Sequence, residues 1–263
     1  MTTTSPIGQT HIVSEGSGPP LVLVHGVGLD HTMWDAVTPL LAQQHTVVRY
    51  DLWGHGSSHD PDGPRSLTDF VDQLVSVLDT VGCERGNVTG LSIGGLITQA
   101  LGVTRPGRCG RIAIMNAVYR RSAEQLAAIR GRLDGVVNAG MEAMVQPALD
   151  RWFTAEWQTA HPAECQHVRR LLRANDIHAY IKAYGLFATD TSMDGQLSQI
   201  VAPTLVLTGD RDVGSTVAMA QTMSDEITNS QLVILENARH IPPIEHPEAT
   251  AATLAQFFSP AHK

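Results

Sequence analysis

VTGLSIGG, at residues Val88–Gly95, is the stretch on which the organisation of this chain depends. An apolar run ends at Leu91, Ser92 stands between Gly90 and Gly94, and an apolar helical pattern follows. This order predicts a sharp strand-to-helix turn, which strains the serine backbone, points its hydroxyl away from the sheet and needs small neighbours. The same motif can arise by chance in a chain with 23 glycines, so the other segments must decide what Ser92 does.

Short apolar runs rich in β-branched residues continue the pattern on both sides of this turn. Such runs are typical of strands that are covered on both faces, as in a parallel sheet. The predicted strands are Leu21–Val24, Thr46–Tyr50, Asn87–Leu91, Ile112–Met115, Thr204–Leu207 and Leu232–Leu235, with a weaker one at Thr10–Val13. The chain ends, roughly Met1–Pro6 and Pro260–Lys263, are expected to fray.

Amphipathic helical patterns separate the predicted strands. The clearest follows Ser66, where SLTD is a capping-box pattern, and it runs to Gly82 with its apolar residues on one face. This alternation predicts an α/β fold with a mostly parallel sheet flanked by helices. Helix-like sequence replaces the alternation at residues 119–197, which predicts a helical cap inserted between the core segments 1–118 and 198–263.

Composition narrows the partners and the location. The 263 residues include 26 acidic and 18 basic ones, a net charge of −8 that disfavours binding to nucleic acid or to an anionic membrane. The three cysteines form no C-x-x-C pair, so we expect no disulfide framework, no zinc site and a cytoplasmic location. We also expect no signal peptide and no membrane-spanning segment, because no stretch has the required apolar pattern.

Ser92 needs a base, because a serine hydroxyl is a weak nucleophile at neutral pH. The segment PTLVLTGDRD places Asp210 and Asp212 directly after a predicted strand, and LENARHIPPIEHPE places His240 after the next one. The carboxyl ends of parallel strands meet at one edge of a sheet, and the order serine, aspartate, histidine accompanies a serine elbow on such a sheet. Asp212 is preferred over Asp210 because it lies further out on its loop. The alternative position for the acid holds the uncharged Asn116.

Two backbone amides complete the predicted site. HGVGLD follows the first core strand, and its glycines allow the Val27 N–H to face Ser92. The Ile93 N–H, at the start of the next helix, faces any negative charge that forms near the serine oxygen. His55 and His59 have the i, i+4 spacing of a metal pair but lie in a glycine-rich loop without a flanking glutamate, so we expect neither a metal nor a cofactor.

Together these segments resemble the α/β-hydrolase superfamily over essentially the whole chain. The motifs that carry the resemblance are LVLVHGVG, RYDLWGHGSS, GLSIGG, PTLVLTGDRD and NARHIPPIEHPE. The resemblance implies that Ser92 is the nucleophile, Asp212 the acid and His240 the base. It also implies that the amides of Val27 and Ile93 bind the oxyanion. RYDLWGHGSS, GLSIGGLITQAL, NAVYR and RWFTAEW are most similar to the 3-oxoadipate enol-lactonases of bacterial aromatic catabolism.

The implied activity is hydrolysis of a small carboxylic ester or lactone through an acyl-enzyme. Cleavage of a C–C bond or an amide on the same triad, a cofactor-free lyase or oxygenase reaction, and a non-catalytic ligand receptor are the alternatives. The VGST that follows Asp212 and the pair Arg120–Arg121 depart from the enol-lactonase pattern. A substrate other than 3-oxoadipate enol-lactone therefore stays open.

The cap and its borders are expected to shape the substrate pocket. The candidate lining residues are Trp53, Tyr119, Arg120, Arg121, Trp152, Trp157 and Tyr184. Arg120 or Arg121 could pair with a carboxylate of the substrate. Packing inside the cap is the alternative for the aromatic residues, and solvent exposure is the alternative for the arginines. The oligomeric state is not predicted.

Overall fold

The computed structural model describes residues 2–5 and 9–259, and in that part of the chain eight strands form one sheet. They are β1 (Thr2–Ser5), β2 (Thr10–Gly16), β3 (Pro20–Val24), β4 (Thr46–Tyr50), β5 (Gly86–Leu91), β6 (Cys109–Met115), β7 (Thr204–Gly209) and β8 (Ser230–Leu235). Their order is β1-β2-β4-β3-β5-β6-β7-β8. β2 pairs antiparallel with β1 and β4, and the other neighbours are parallel. The predicted α/β fold with a mostly parallel sheet is confirmed.

β1 is the strand that the apolar pattern does not predict. Its sequence TTTS is polar, and it extends the edge of the sheet by backbone pairing, with Thr2 opposite Val13. The expected fraying is therefore wrong for Thr2–Ser5. Residues 1, 6–8 and 260–263, which include the C-terminal segment expected to fray, lie outside the described residues.

Helices follow and connect the strands along the chain. They are α1 (Thr38–Leu41), α2 (Leu67–Thr80), α3 (Ile93–Thr104), α4 (Ala123–Ala139), α5 (Glu142–Trp152), α6 (Ala155–Ala160), α7 (Pro162–Ala174), α8 (Ile177–Thr189), α9 (Val217–Glu226), α10 (Pro242–Glu245) and α11 (Pro247–Phe258). Short 3-10 turns occur at His31–Trp34, Pro106–Arg108 and Leu197–Gln199.

The capping box predicted for α2 is present. The Asp69 backbone N–H donates to Ser66 Oγ at 3.2 Å, and Asp69 Oδ2 accepts from the Ser66 N–H at 2.8 Å. These bonds satisfy amide groups that a helix start otherwise leaves without partners. Gly82 follows the helix with a φ of +67°, a conformation that glycine adopts without a steric penalty.

The central strands explain the continuous apolar runs of the sequence. Every residue from Leu21 to Val24 in β3 is fully buried, because helices cover both faces of the sheet. Each such side chain contributes about 1.5–3 kcal/mol through its transfer out of water. The buried sheet therefore provides a rigid base for the loops at the carboxyl ends of its strands.

Helices α4 to α8 interrupt the strand–helix alternation between β6 and β7. They pack on one another, with α4 against α8 and α5 against α7. The domain boundaries at residues 119 and 197 stay a prediction, and we call α4–α8 the cap from here on. Within the described residues, each helix is too short or too polar to cross a membrane.

Candidate active site

The turn between β5 and α3 holds Ser92 in a strained conformation. Its φ is +60° and its ψ is −114°, a region that residues other than glycine seldom adopt. A Cβ added to Gly90 would lie 2.0 Å from the Gly94 oxygen, and one added to Gly94 would lie 2.4 Å from the Val24 oxygen. Both positions therefore exclude a side chain, which is the steric reason for the two glycines around the serine.

Asp212 and His240 lie together on the loops that follow β7 and β8. His240 Nδ1 is 2.7 Å from Asp212 Oδ2, and the Asp212 side chain is only 1% exposed. Asp212 Oδ1 accepts from the backbone N–H groups of Gly214 at 2.8 Å and Ser215 at 3.0 Å. The alternative acid, Asp210, is exposed to solvent. The structure therefore pairs the histidine with the aspartate that the sequence favours.

The surroundings of Asp212 keep it ionised. Burial alone would raise the pKa of this carboxyl, but the charge and hydrogen bond of His240, with bonds from Asn116 and the Ser215 amide, hold it below its usual range. An ionised carboxylate can only accept, so His240 Nδ1 carries the proton that is shared with Asp212. When the ring is neutral, its lone pair is therefore on Nε2, the form that a general base requires.

Asn116 has a role that the sequence does not indicate. It follows β6 with a φ of +44°, and its Nδ2 donates to Asp212 Oδ2 at 2.9 Å and to the Arg239 oxygen at 3.1 Å. One amide group thus holds both the acid and the residue before His240. The only sequence signal for this residue is its place directly after a core strand. Asparagine cannot be the acid itself, so that place alone does not predict its role.

One cavity between the cap and the carboxyl edge of the sheet brings the predicted residues together. The cavity has a volume of about 150 Å³, and Ser92, Asp212 and His240 all line it. The three side chains come from loops that are far apart in the chain. Their convergence on one cavity is the arrangement that a serine nucleophile, a base and an orienting acid need.

The two residues predicted to supply oxyanion amides lie on the loop after β3 and at the start of α3. Val27 lines the cavity, and Gly28 after it has a φ of +79° that bends the loop. Ile93 is the first residue of α3 and is fully buried, so only its backbone can face the serine oxygen. Within residues 2–5 and 9–259, neither N–H donates to a loop carbonyl or a side chain. Their role in binding an oxyanion stays a prediction.

The seven predicted pocket residues divide into two groups. Arg121, Trp152 and Tyr184 line the cavity. Tyr119 and Arg120 lie at the base of the cap instead. There the Tyr119 hydroxyl donates to Glu226 Oε2 at 2.6 Å, and the Arg120 guanidinium pairs with the same oxygen at 2.9 Å. The Arg120 side chain is 54% exposed, so it faces solvent rather than a substrate.

The two remaining aromatic residues are used in packing. Trp157 stacks between the rings of Phe153 and His161, at centroid distances of 4.6 and 4.5 Å. Trp53 lies under the guanidinium of Arg65, which is 5.9 Å from the ring centroid. Both therefore lie away from the cavity, because their helix or loop turns them toward neighbours that sequence spacing does not identify.

Arg121 lines the cavity but is already committed to the cap. Its guanidinium donates to the backbone oxygens of Phe187 and Asp190 and lies over the Phe187 ring. Burial lowers the pKa of this arginine, and nearby aspartates partly offset the effect. These bonds leave fewer of its donors for a ligand.

Two arginines that the sequence analysis missed also line the cavity. Arg132, from α4, donates to the Tyr184 hydroxyl at 3.0 Å, and Arg151 comes from α5. Within the described residues, neither has a carboxylate in ion-pair distance. Burial and the neighbouring Arg132 charge lower the pKa of Arg151. Both lie inside helices with no motif around them, so no sequence pattern indicates that they face the cavity.

A histidine cluster next to the Val27 loop is the one group in the described residues with metal-ligand spacing. Ring or carboxylate atoms of His11, His31 and Asp51 lie within 4.8 Å of one another. However, Asp51 Oδ1 already accepts from the His31 N–H at 2.8 Å and from His31 Nδ1 at 2.7 Å, and Oδ2 accepts from the Ser57 N–H at 2.8 Å. We interpret the cluster as a hydrogen-bonded support for the loop.

Known proteins are similar to this chain in sequence and in fold. Residues 21–253 match the model of the alpha/beta hydrolase family, and the chain therefore belongs to that family. A relative from Acinetobacter baylyi, (E)-2-((N-methylformamido)methylene)succinate hydrolase, is 31% identical over 239 residues, which cover 90% of this chain and 89% of the relative. Another from that organism, 3-oxoadipate enol-lactonase 2, is 28% identical over 231 residues, covering 88% and 85%.

A solved structure extends the similarity to three dimensions. The enol-lactonase from Burkholderia xenovorans LB400 superposes with a TM-score of 0.90 at 26% identity, covering 98% of this chain and 99% of that one. The resemblance to the α/β-hydrolases is thereby confirmed, and the chain is a hydrolase of this family.

Proposed function

We propose that the protein hydrolyses a small carboxylic ester or lactone through a triad of Ser92, His240 and Asp212. The observation that carries this proposal is the 2.7 Å contact between His240 Nδ1 and Asp212 Oδ2 in a cavity that Ser92 also lines. The proposed reaction needs no cofactor, because it uses only side chains and backbone amides. The proposal also includes a cytoplasmic location.

The reaction begins when His240 Nε2 takes the Ser92 hydroxyl proton and Ser92 Oγ attacks the substrate carbonyl carbon. The carbonyl oxygen becomes an oxyanion, which the Val27 and Ile93 N–H groups bind. Asp212 stabilises the imidazolium that has formed. When the tetrahedral intermediate collapses, the C–O bond to the leaving oxygen breaks and His240 returns its proton to that oxygen.

Deacylation repeats these steps with water. His240 removes a proton from water, the hydroxide oxygen attacks the ester carbon of the acyl-enzyme, and the Ser92 oxygen leaves with the proton from His240. A lactone differs in one respect: its leaving oxygen remains on the carbon chain of the acyl group, so the whole ring-opened group stays on Ser92 until water releases it as the hydroxy acid. The same residues therefore serve both substrate classes.

The arginines of the cap favour a substrate that carries a carboxylate. Arg132 and Arg151 place two cations beside the cavity without a protein carboxylate in ion-pair distance among the described residues. The charge of one opposes that of the other, and an anion between them would relieve this repulsion. Guanidinium groups bind carboxylates through paired, charge-assisted hydrogen bonds. We assign to Arg132 and Arg151 the binding of a substrate carboxylate that the sequence predicts for Arg120 or Arg121.

The names of two relatives are consistent with such a substrate. The hydrolase that is 31% identical is named for a methylenesuccinate, and the one that is 28% identical is named for 3-oxoadipate; both names denote derivatives of dicarboxylic acids. The two names otherwise denote different compounds. The shared chemistry that we transfer to this chain is therefore the carboxylate and not the particular substrate.

Amide hydrolysis is the second candidate. The relative with 31% identity is named for a substrate that contains an N-methylformamido group. The same triad can act on an amide if His240 protonates the leaving nitrogen. A departure of nitrogen needs this proton more strongly than a departure of an enol oxygen, so the two candidates make different demands on His240.

A hydrolysis screen tests the proposal. Purified protein would be assayed with p-nitrophenyl acetate, enol-lactones with and without a carboxylate, carboxylated enamides and ring-cleavage diketones. Labelling with a fluorophosphonate, followed by peptide mass spectrometry, would locate the reactive serine. We expect turnover of carboxylated esters or lactones, labelling at Ser92, and neither in Ser92→Ala.

Other outcomes would point elsewhere. Turnover that persists in Ser92→Ala would indicate a lyase or oxygenase reaction that does not use the serine. Labelling without turnover of any compound, or ligand binding without labelling, would favour a receptor. Faster turnover of the enamides than of the esters would make amide hydrolysis the better assignment.

A further inference from the structure

Glu245 is a buried carboxylate whose partners are all neutral. It ends α10, five residues after His240 in the chain, and is 4% exposed. Its Oε1 accepts from the Thr154 N–H at 2.7 Å and from Thr154 Oγ1 at 2.8 Å, and its Oε2 accepts from the Arg239 N–H at 2.7 Å. No cation lies in ion-pair distance of it within the part of the chain that the structure describes.

The partners of Glu245 belong to two different parts of the molecule. Thr154 is the N-cap residue of α6 in the cap, where its Oγ1 accepts from the Trp157 N–H at 3.3 Å. Arg239 immediately precedes His240 in the core. The carboxylate thus connects the cap directly to the loop that carries the proposed base.

Two further bonds join the same two segments. The His240 N–H donates to the Trp152 oxygen at 3.1 Å, and the Arg239 guanidinium donates to the Asp150 oxygen. The Arg239 residue is also held from its other side, because Asn116 Nδ2 donates to its carbonyl oxygen at 3.1 Å. The backbone on the N-terminal side of His240 is therefore restrained at each of its polar groups.

The charge of Glu245 fits this connection. A buried carboxylate is costly unless its oxygens are fully hydrogen-bonded, so packing alone would favour an apolar side chain. An ionised carboxylate accepts at both oxygens, which suits three donors arriving from two directions. A glutamine has one acceptor and one donor end, and its NH₂ would face an N–H of Thr154 or Arg239. The amide therefore cannot reproduce both sides of the bridge.

We propose that Glu245 is a positioning residue. It keeps His240 in position for catalysis only while the cap is packed against the core. With the cap in place, Thr154 and Glu245 hold the Arg239–His240 segment so that the imidazole stays paired with Asp212 at the cavity that Ser92 also lines. If the cap moves away, the segment loses its restraint and the imidazole leaves that position. This inference rests on the proposed function, in which His240 is the base.

Glu245→Gln tests the bridge, with Glu226→Gln as the matched control. Glu226 is also a shielded carboxylate at the base of the cap and binds Tyr119 and Leu197, but it does not touch the His240 loop. We expect Glu245→Gln to lower kcat about tenfold or more with little change in KM, as displacement of a catalytic group does. The control should keep kcat within about twofold of the wild type.

A spectroscopic measurement separates this inference from the proposed function. The His240 Nδ1–H proton in its short bond to Asp212 gives a far-downfield proton NMR signal that requires no turnover. We expect Glu245→Gln to broaden or abolish it and Glu226→Gln to preserve it. An unchanged signal together with an unchanged kcat would overturn the bridge, whereas activity that survives in Ser92→Ala would overturn the proposed function alone.

Thr154 supplies a second test in case Glu245→Gln does not fold. Thr154→Val removes the hydroxyl donor to Glu245, and Thr154→Ser keeps it. We expect the valine variant to have a kcat about threefold or more below that of the serine variant, with similar KM values and a broader His240 signal. Equal kcat values and equal signals in the two variants would overturn the inference.

Discussion

The sheet core and the cap contribute to the cavity in different ways. In the core, each polar group of the site follows a strand: Ser92 follows β5, Asn116 β6, Asp212 β7 and His240 β8. In the cap, Arg132 and Arg151 of the cavity lie inside helices α4 and α5. The carboxyl end of each strand in a parallel sheet lies at the same edge, whereas a helix position becomes part of a site only through the way the helices pack. We therefore assign the chemistry to the core and expect substrate selection to belong to the cap.

Substitution of Ser92 in the core should have the greatest effect on activity. Ser92→Ala removes the proposed nucleophile and should lower turnover of the true substrate by about 10⁶, as loss of a triad serine does in other enzymes. Steady-state kinetics on the best compound of the screen would measure this, with circular dichroism as a check of folding. A loss of less than about tenfold would contradict a covalent role for the serine.

The next effect concerns the orientation of the base. Asp212→Asn keeps the size of the side chain but removes the charge that holds the proton on His240 Nδ1, so kcat should fall by about 10⁴. Asp210→Asn is the matched control, because that residue lies on the same loop and is exposed. Equal losses in the two variants would mean that the loop as a whole, and not the hydrogen bond to the histidine, is required.

The cap side should show a change of selectivity and not of chemistry. Arg151→Met removes one guanidinium from the cavity and should raise KM for a carboxylated ester by about 10- to 100-fold, the loss expected for one charge-assisted hydrogen bond. KM for the matching neutral ester should change little. Arg120→Met is the control, since that arginine is exposed and pairs with Glu226. An unchanged ratio of the two KM values in Arg151→Met would contradict the carboxylate assignment.

The smallest effect concerns the support of the Val27 loop. The hydrogen bond that His31 Nδ1 donates to Asp51 raises the pKa of His31. Burial would raise the pKa of Asp51, but the bonds that it accepts from His31 and Ser57 outweigh this effect, and its pKa falls to about 2. A raised histidine pKa stabilises the fold fully below the pKa of the unfolded chain, about 6.5, and this gain is lost as pH rises through the folded value. His31→Asn should therefore destabilise the protein more at acidic than at alkaline pH.

Urea unfolding of the wild type and of His31→Asn at a pH near 5.5 and at one near 8.5 would measure how the difference between their free energies of unfolding depends on pH. His178→Asn, at an exposed position of the cap, is the control and should show little dependence on pH. A larger destabilisation of His31→Asn at the alkaline pH would contradict the assigned pKa direction.

The sequence predicts strands well where both faces are buried and poorly where only the backbone pairs. The apolar runs of β3 to β7 are conspicuous because helices cover them, whereas the polar β1 joins the sheet edge without an apolar signal. The site divides in the same manner. Turn chemistry and chain order indicate Ser92, Asp212 and His240. Asn116 stands at the other position for an acid but is uncharged, so the sequence predicts no role for it.

Aromatic residues of the cap could not be assigned from the sequence. Trp152 and Trp157 are five positions apart in neighbouring helical segments, yet one lines the cavity and the other stacks on Phe153 and His161. Both are apolar, large and mostly buried, so composition does not distinguish them. The direction in which each helix faces decides the difference, and that direction depends on contacts made by the whole cap.

The α/β architecture and the order of the core loops follow from the amino-acid sequence, because a buried parallel sheet requires apolar runs and its sharp turns require glycine. The arginines that face the cavity, and the connection that Glu245 makes between the cap and the His240 loop, are visible only in the folded molecule. Those relations are made between residues distant in the chain, and their physical origin is the packing of helices on a sheet, which local patterns do not encode.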